Sequence, residues 1–409
     1  MNVRRSAAAL AAAVALGTAA APAALADEAS PSPSAALPSG LYGTANPKFD
    51  GVFRQSYALL AQDVAGVRPA EKAVDWLTGQ QCASGGFPAY RADAGEPCDS
   101  KTQVDSNSTA AAVQALAALG GRKKAVDKGV AWLKSVQNQD GGWGYTPGLP
   151  SDANSTGIVI GALAAAGQKP AGQTSQQGRS PYDALTKLAM DCGTGGGAFG
   201  LADARSGRTA PNADATAAGV LGALGKGLVV APAGKDAKAP RCAPADSAKQ
   251  AAANGTGYLL DALGTSGYLK SSLPGSTDKP DVGNTADAVV ALAAAGQGAQ
   301  AKKSAEWLAG HSAAWAKRGG PAAYAQLVLA AHATGLDPRD FGGADLVKQL
   351  NATGPAPQQQ ASDERTKKPK ADSDSDGDGG VSVWWIVGVG LVAGAGIGFL
   401  LSGRKKTGL

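Results

Sequence analysis

Four threonines set the period of this chain. Thr109, Thr156, Thr216 and Thr285 each stand near the start of an Ala-rich apolar run. A glycine stands eleven residues after each, at Gly120, Gly167, Gly227 and Gly296. Three of the four runs also carry a leucine seven residues after the threonine, at Leu116, Leu163 and Leu292. Just ahead lie Asp105 and Asn107, Asp152 and Asn154, Asn212 and Asp214, and Asn284. Short side chains with oxygen acceptors at this place satisfy the unpaired N–H groups of a helix start. A glycine at the far end is a helix stop. Each unit therefore reads as a capped helix of about three turns.

A second helix precedes each of these; the Thr-led helices are called inner and the preceding ones outer. The apolar spacing places the preceding helices near 69–81 with Trp76, 122–138 with Trp132, 181–191, 246–263, and 300–316 with Trp307. Residues 320–335 supply one more Ala-rich inner helix. Residues 50–65 look like an inner helix without its outer partner, and residues 343–352 like an outer helix without its inner one. The count is then six inner and six outer helices. An open solenoid would need polar capping repeats at its ends. Two complementary half-units instead predict that the last outer helix packs on the first inner one. The expected fold class is all-α: a closed α6/α6 toroid of six helical hairpins, with a single transmembrane helix at the C-terminus. Ala and Gly at the contacts suit a tight inner layer.

The ends read differently from the body. Arg4 and Arg5, an Ala/Leu/Val run and Ala24-Leu25-Ala26 form the pattern of a secretory signal peptide over 1–26. Residues 27–48, rich in Ala, Pro and Ser, are expected to be a flexible leader, and 49–352 the repeat domain. Residues 353–380 read as a solvated, disordered stalk. Its acidic run Asp372 to Asp378 lacks the glutamate that a calcium loop needs. Residues 381–401 carry no charge and are long enough to span about 30 Å of hydrocarbon. Arg404, Lys405 and Lys406 follow, so the positive-inside rule puts the tail, 402–409, in the cytoplasm. The expectation is a single-pass cell-membrane protein with its body outside the cell.

The formal net charge of +5 belongs to those ends. The chain has 38 Lys and Arg against 33 Asp and Glu, and five of the cations are Arg4, Arg5, Arg404, Lys405 and Lys406. The remaining 33 cations balance the 33 acids, which argues against nucleic acid as a partner. Four cysteines allow three pairings. In an oxidising compartment the pairs Cys82–Cys98 and Cys192–Cys242, each closing one local loop, are expected. Their spacing fits no common zinc site, and no metal or cofactor is expected.

The stretch Gln137 to Gly144 (QNQDGGWG) resembles the glycine-tryptophan turn of the prenyltransferase and squalene-cyclase repeat. Gln80 to Phe87 (QQCASGGF) is a second copy and Gly195 to Gly200 (GGGAFG) a third. The resemblance covers roughly residues 50–352 and implies an α/α toroid whose inner-helix starts face a central cavity. The enzymes of that family need residues that this chain lacks: a D-x-D-D acid, an Asp-rich magnesium motif, or an Asp/Cys/His zinc set. The two histidines, His311 and His332, lie on helical stretches without such partners. Val104 to Ala111 (VDSNSTAA) is similar to the helix opening of a non-catalytic branch, the cobalamin carriers intrinsic factor and transcobalamin. That resemblance implies corrinoid binding by neutral polar groups. Those carriers cover the ligand with a β-rich domain, and nothing after Gly354 could form one, so a covering partner protein would have to complete the site.

The functional expectation is non-catalytic capture of a small extracellular ligand, such as a corrinoid, for delivery to a membrane transporter. The candidate ligand-binding residues are Asp105, Asn107 and Thr109, then Asp152, Asn154 and Thr156, then Asn212, Asp214 and Thr216, and Asn284. Helix N-termini meeting at one rim would add partial positive charge and free N–H groups. Trp143 and Tyr145, in the adjoining turn, could stack on a planar ligand. Two alternatives stay open. One is an enzyme acting on terpenoids or glycans, for which Asp105, Asp152 and Asp214 would supply carboxylates. The other is a cell-surface protein-interaction module.

Overall fold

The computed structural model describes residues 38–202, 207–233, 236–272 and 278–359. The predicted signal peptide, transmembrane segment and tail, with much of the leader and stalk, lie outside the described residues. No helix among the described residues is long and apolar enough to cross a membrane.

The body is helical. In chain order the α-helices are α1 (Gly51–Val64), α2 (Glu71–Gly79), α3 (Ser106–Leu119), α4 (Lys123–Ser135), α5 (Ala153–Ala165), α6 (Pro181–Leu188) and α7 (Cys192–Gly195). They continue as α8 (Ala213–Ala223), α9 (Ala248–Leu263), α10 (Val282–Ala294), α11 (Gly298–His311), α12 (Ala313–Thr334) and α13 (Leu346–Asn351). Two antiparallel hairpins of two or three residues per strand interrupt them. β1 (Phe87–Pro88) pairs with β2 (Val104–Asp105), and β3 (Gly200–Ala202) with β4 (Thr209–Pro211).

Contacts run from α1 to α3, α5, α8, α10 and α12 in turn, and α12 returns to α1. The alternate helices pack on this set: α4 on α3 and α5, α6 on α5 and α8, α11 on α10 and α12, and α13 on α12 and α1. Small residues permit the closest of these approaches. A Cβ on Gly222 of α8 would stand 2.6 Å from the Gly157 Cα of α5, closer than carbon atoms pack. The core between the two sets is apolar and fully buried, with Leu59, Leu116, Ile160, Leu163 and Leu292 in it.

The repeated threonine clamps each turn to its helix. The Phe87 N–H donates to Thr109 Oγ1 (2.8 Å), Trp143 N–H to Thr156 (3.0 Å), Phe199 N–H to Thr216 (3.0 Å) and Leu269 N–H to Thr285 (3.0 Å). Leu269 thus marks a fourth copy of the turn, with an aliphatic side chain in the aromatic place. All four threonines are completely buried. The residue four before each threonine caps the helix. Asp105 accepts from Ser108 N–H (2.6 Å), Asp152 from Ser155 (2.7 Å), Asn212 from Ala215 (2.8 Å) and Asp281 from Asn284 (3.2 Å).

Several expected boundaries move. Residues 38–48 pack onto the body instead of trailing as a leader: Tyr42 is wholly buried and its N–H donates to Gln55 Oε1 (2.9 Å). The start of the expected stalk packs too. The N–H of Gly43 donates to Thr353 O (2.8 Å), Gln62 Nε2 to Asn351 Oδ1 (2.7 Å), and Gln358 N–H to Arg68 O (3.0 Å). The two ends of the body therefore clasp each other. Helix α8 stops at Gly225, with φ of 65°, two residues before the expected Gly227. Helix α11 ends at His311. The next turns belong to α12, which breaks at Gly320 (φ 66°, ψ −145°) ahead of Pro321. Both expected disulfides are present, Cys82–Cys98 and Cys192–Cys242.

Candidate functional site

The clamp and cap fix which side chains of the main helix set turn inward. Counting from the threonine, positions −2, +2 and +5 share one face, as residues four and three apart do on a helix. In α3 these positions bring Asn107 and Gln114 to a cavity of about 130 Å³; in α5 they bring Asn154 and Ile158. Helix α8 contributes Asp214, Ala218 and Leu221, and α10 contributes Asp287 and Val290. Phe53 and Tyr57 of α1 and Gln326 and Leu329 of α12 complete the wall, so all six helices of the set line it.

A segment after α8 crosses one end of this cavity. Lys226, Gly227 and Leu228 line it there, and the Leu228 N–H donates to Gln114 Oε1 (2.8 Å). Gln114 Nε2 in turn donates to Ile158 O (3.2 Å), so the one amide ties the segment to α5. Gly227, expected as a helix stop, is instead where the segment passes Gln114.

At the helix starts the cavity carries acids and no cation from the described residues. Asn154 Nδ2 donates to Asp214 Oδ2 (2.6 Å). That bond fixes the amide orientation and leaves Asn154 Oδ1 buried without a partner; Asn107 Oδ1 is likewise unpartnered. Asp287, one turn deeper, accepts from Gln326 Nε2 at 3.1 Å through each carboxylate oxygen. Asp287 lies far below the outer surface, and what remains open of it faces the cavity. Burial, and then the charges of Asp214 and Asp281, raise its pKa to about 7. Burial also raises that of Asp214, with Asp281 and Asp152 adding to the effect against the Asn154 bond. The Tyr57 hydroxyl is pushed well above its usual range by burial and by the charges of Asp287 and Asp214. Among the described residues no Lys, Arg or His forms an ion pair with either acid. Nor does any group of three or more His, Cys, Asp or Glu side chains there stand ready to hold a metal.

The structure sorts the candidate residues into distinct places. Asn107, Asn154 and Asp214 meet at the cavity. Asp152 and Asn212 are helix caps. Thr109, Thr156 and Thr216 are corrected from ligand groups to clamps, because their hydroxyls are spent on backbone partners in the core. Trp143 is also removed from the ligand surface: it is fully buried and its Nε1–H donates to Leu133 O (2.8 Å). Asn284 is out of register, since its own side chain donates to the cap Asp281 (2.8 Å) and Gly283 takes the inward place. Asp105 and Tyr145 line a separate surface trench of about 690 Å³ with Phe49, Tyr90 and Arg91. Tyr145 is 46% exposed there, and burial raises the Asp105 pKa to about 6.

Sequence reasoning missed Asp287, Tyr57, Phe53 and Gln326. Asp287 was open to discovery by carrying the threonine frame two residues forward. The helices α1 and α12 lack the threonine, so nothing local marked which of their faces turns inward.

No family model matches the chain, and no curated protein matches it. Among solved structures the chain is similar to a protein from Actinoplanes. The two are 16% identical with a TM-score of 0.47 over 73% of this chain and 94% of that one.

Proposed function

We propose that this chain is a membrane-anchored extracellular protein whose body is a closed α6/α6 toroid, and that it captures a small ligand in the central cavity without turning it over. The observation that carries the binding reading is the cavity itself. Six helices contribute to it, and it holds a buried amide oxygen, Asn154 Oδ1, with no partner inside the protein. Buried polar groups are normally satisfied by protein, water or ligand, so an orphan oxygen on a residue that lines the cavity supports the reading of a ligand donor there. The contact order α1 through α12 and back, with the clasp of residues 42–43 on 353–355, supports closure. The two disulfides fit a secreted body.

The cavity size bears on the ligand. Pockets for drug-sized ligands run to about 300–1,000 Å³. At about 130 Å³ the cavity is below that range, so a corrinoid would have to lie across the rim under a covering partner. A smaller guest suits the interior better, and its release to a membrane transporter would follow in the uptake reading. The test is a thermal-shift screen of the purified body with small metabolites of each charge type, with turnover assayed in parallel. A saturable rise, worth about 2.7 kcal/mol at one hundred times Kd, is expected with no product. A flat response to every compound would sink the reading.

One observation favours an enzyme as the second reading. A carboxyl raised to about 7 beside a second carboxyl is the arrangement that a general acid uses near neutral pH. Product formation lost in Asp287→Asn while binding persists would establish it.

A further inference from the structure

The geometry points to a small organic cation as the ligand of the central cavity, an ammonium with at least one N–H on a short apolar skeleton. This rests on the reading of the cavity as a ligand site and names the chemistry that it would select.

The unpartnered groups at the polar end include the acceptors Asn154 Oδ1 and Asn107 Oδ1 and two neutral donors, the Asn107 amide and the Tyr57 hydroxyl, while the charged groups there are both carboxylates. Asn154 Oδ1 has lost both solvent and partners, and its orientation is settled by the bond from its Nδ2 to Asp214. Beside it are the Asp214 carboxylate and, about 6 Å deeper along the helix direction, that of Asp287. Among the described residues the side chains that donate to those two acids are neutral amides, Asn154 to Asp214 and Gln326 to Asp287. An anion would meet two carboxylates; a neutral alcohol could answer one acceptor and leave the acidic charge uncompensated.

Helix dipoles do not reverse this sign. The starts of α3, α5, α8 and α10 bring about half a positive charge each. Three of those four starts are already capped by carboxylates, Asp105, Asp152 and Asp281, and the fourth by Asn212. Asp214 and Asp287 come on top of that balance. The exposed Lys226 lies at the opposite end, where its backbone segment crosses the cavity.

The remaining wall supplies the rest of the specificity. Phe53 and Tyr57 give aromatic faces suited to a cation, and their rings stack with centroids 4.8 Å apart. Leu221, Val290 and Leu329 line the wall with apolar surface. An engineered cavity of about 150 Å³ holds a benzene ring, which sets the size of guest to expect. A divalent metal is a poor match, because the described residues offer no cluster of three ligating side chains.

The experiment compares cyclohexylammonium and butylammonium with cyclohexanol, butanol and cyclohexanecarboxylate, by calorimetry and thermal shift on the full extracellular body. The amines should bind at least about tenfold more tightly than the matched alcohols, and the carboxylate should not bind. Asp214→Asn and Asp287→Asn should each weaken the amines about tenfold or more, while Phe49→Ala in the surface trench should leave them unchanged. If the alcohols bind as well as the amines, the cavity remains a ligand site and the cation inference falls. If neither class binds, both readings fall. The amine-to-alcohol ratio is measured on the unaltered protein, so a variant that fails to fold does not remove the test.

Discussion

Helices α5 and α10 begin on the same plan and end with different chemistry. In both, an aspartate four residues before the threonine caps the helix, and the threonine hydroxyl receives the N–H of a buried turn residue. In α5 the turn residue is Trp143 and the inward places hold Asn154 and Ile158. In α10 the turn residue is Leu269 and the inward places hold Gly283 and Asp287. The polar group has moved one helical turn down, and Gly283 lies instead beside the Trp315 ring, 3.3 Å from its nearest atom to a would-be Cβ. The frame positions tolerate little change because they satisfy backbone groups. The inward positions are free to differ because they satisfy only what enters the cavity.

Removing the turn residues tests the frame most severely. Trp143→Ala should cost about 3–5 kcal/mol and Leu269→Ala about 2–5 kcal/mol, read by urea denaturation. A cost under about 1 kcal/mol for either would mean that the clamp does not hold the turn. Next in size is the pH response of the inward acid of α10. Asp287 is faced by Asp214, Asp281, Tyr57 and the neutral Gln326. Its folded pKa, about 7, exceeds the ordinary value of about 4. Between those values the folded form binds the extra proton, so the contribution of Asp287 to stability is greatest below about pH 4 and is lost as pH rises through about 7. The slope integrates to something on the order of 2–4 kcal/mol. Asp287→Asn should flatten it; an unchanged pH profile in that variant would put the titration elsewhere.

The clamp hydroxyl comes third. Thr156→Val keeps the shape and strands the Trp143 N–H, for an expected loss of about 1–3 kcal/mol. Thr285→Val should behave alike, and a large disparity between the two would break the parallel. The caps are last: Asp152→Ala should cost about 1 kcal/mol. Asp281→Ala should cost less, since its bond to the Asn284 N–H is longer, 3.2 Å against 2.7 Å.

The parts of this molecule that were legible in the sequence are those with a backbone reason. Thr, Asp and Gly recur at constant spacing because caps, clamps and stops obey hydrogen-bond geometry, which does not depend on what the cavity holds. The same regularity misled where one residue type serves two ends. A threonine hydroxyl near a helix start looks like a ligand group, yet in Thr109, Thr156 and Thr216 it is buried against the turn. Asn284 adjoins the threonine, but it is the residue four before the threonine, Asp281, that reaches the first free N–H groups. Asp287 stands inside an Ala/Val-rich helix, where nothing local singles out an acid. Its inward position depends on α1 and α12, whose approach no local pattern records.

The clasp between residues 42–43 and 353–355 has a consequence for how the body can be cut. The Tyr42 hydroxyl donates to Pro355 O at 3.2 Å across 313 residues of chain, so the first and last described segments are spatial neighbours. When chain ends adjoin, their covalent order becomes a convention that engineering can change. A circular permutant that joins Gln359 to Pro38 through a short linker and opens at the exposed turn around Gly178 should fold to the same body. In such a molecule α5 and α6 would stand at opposite ends of the chain, and the Tyr42–Pro355 contact would become local in sequence.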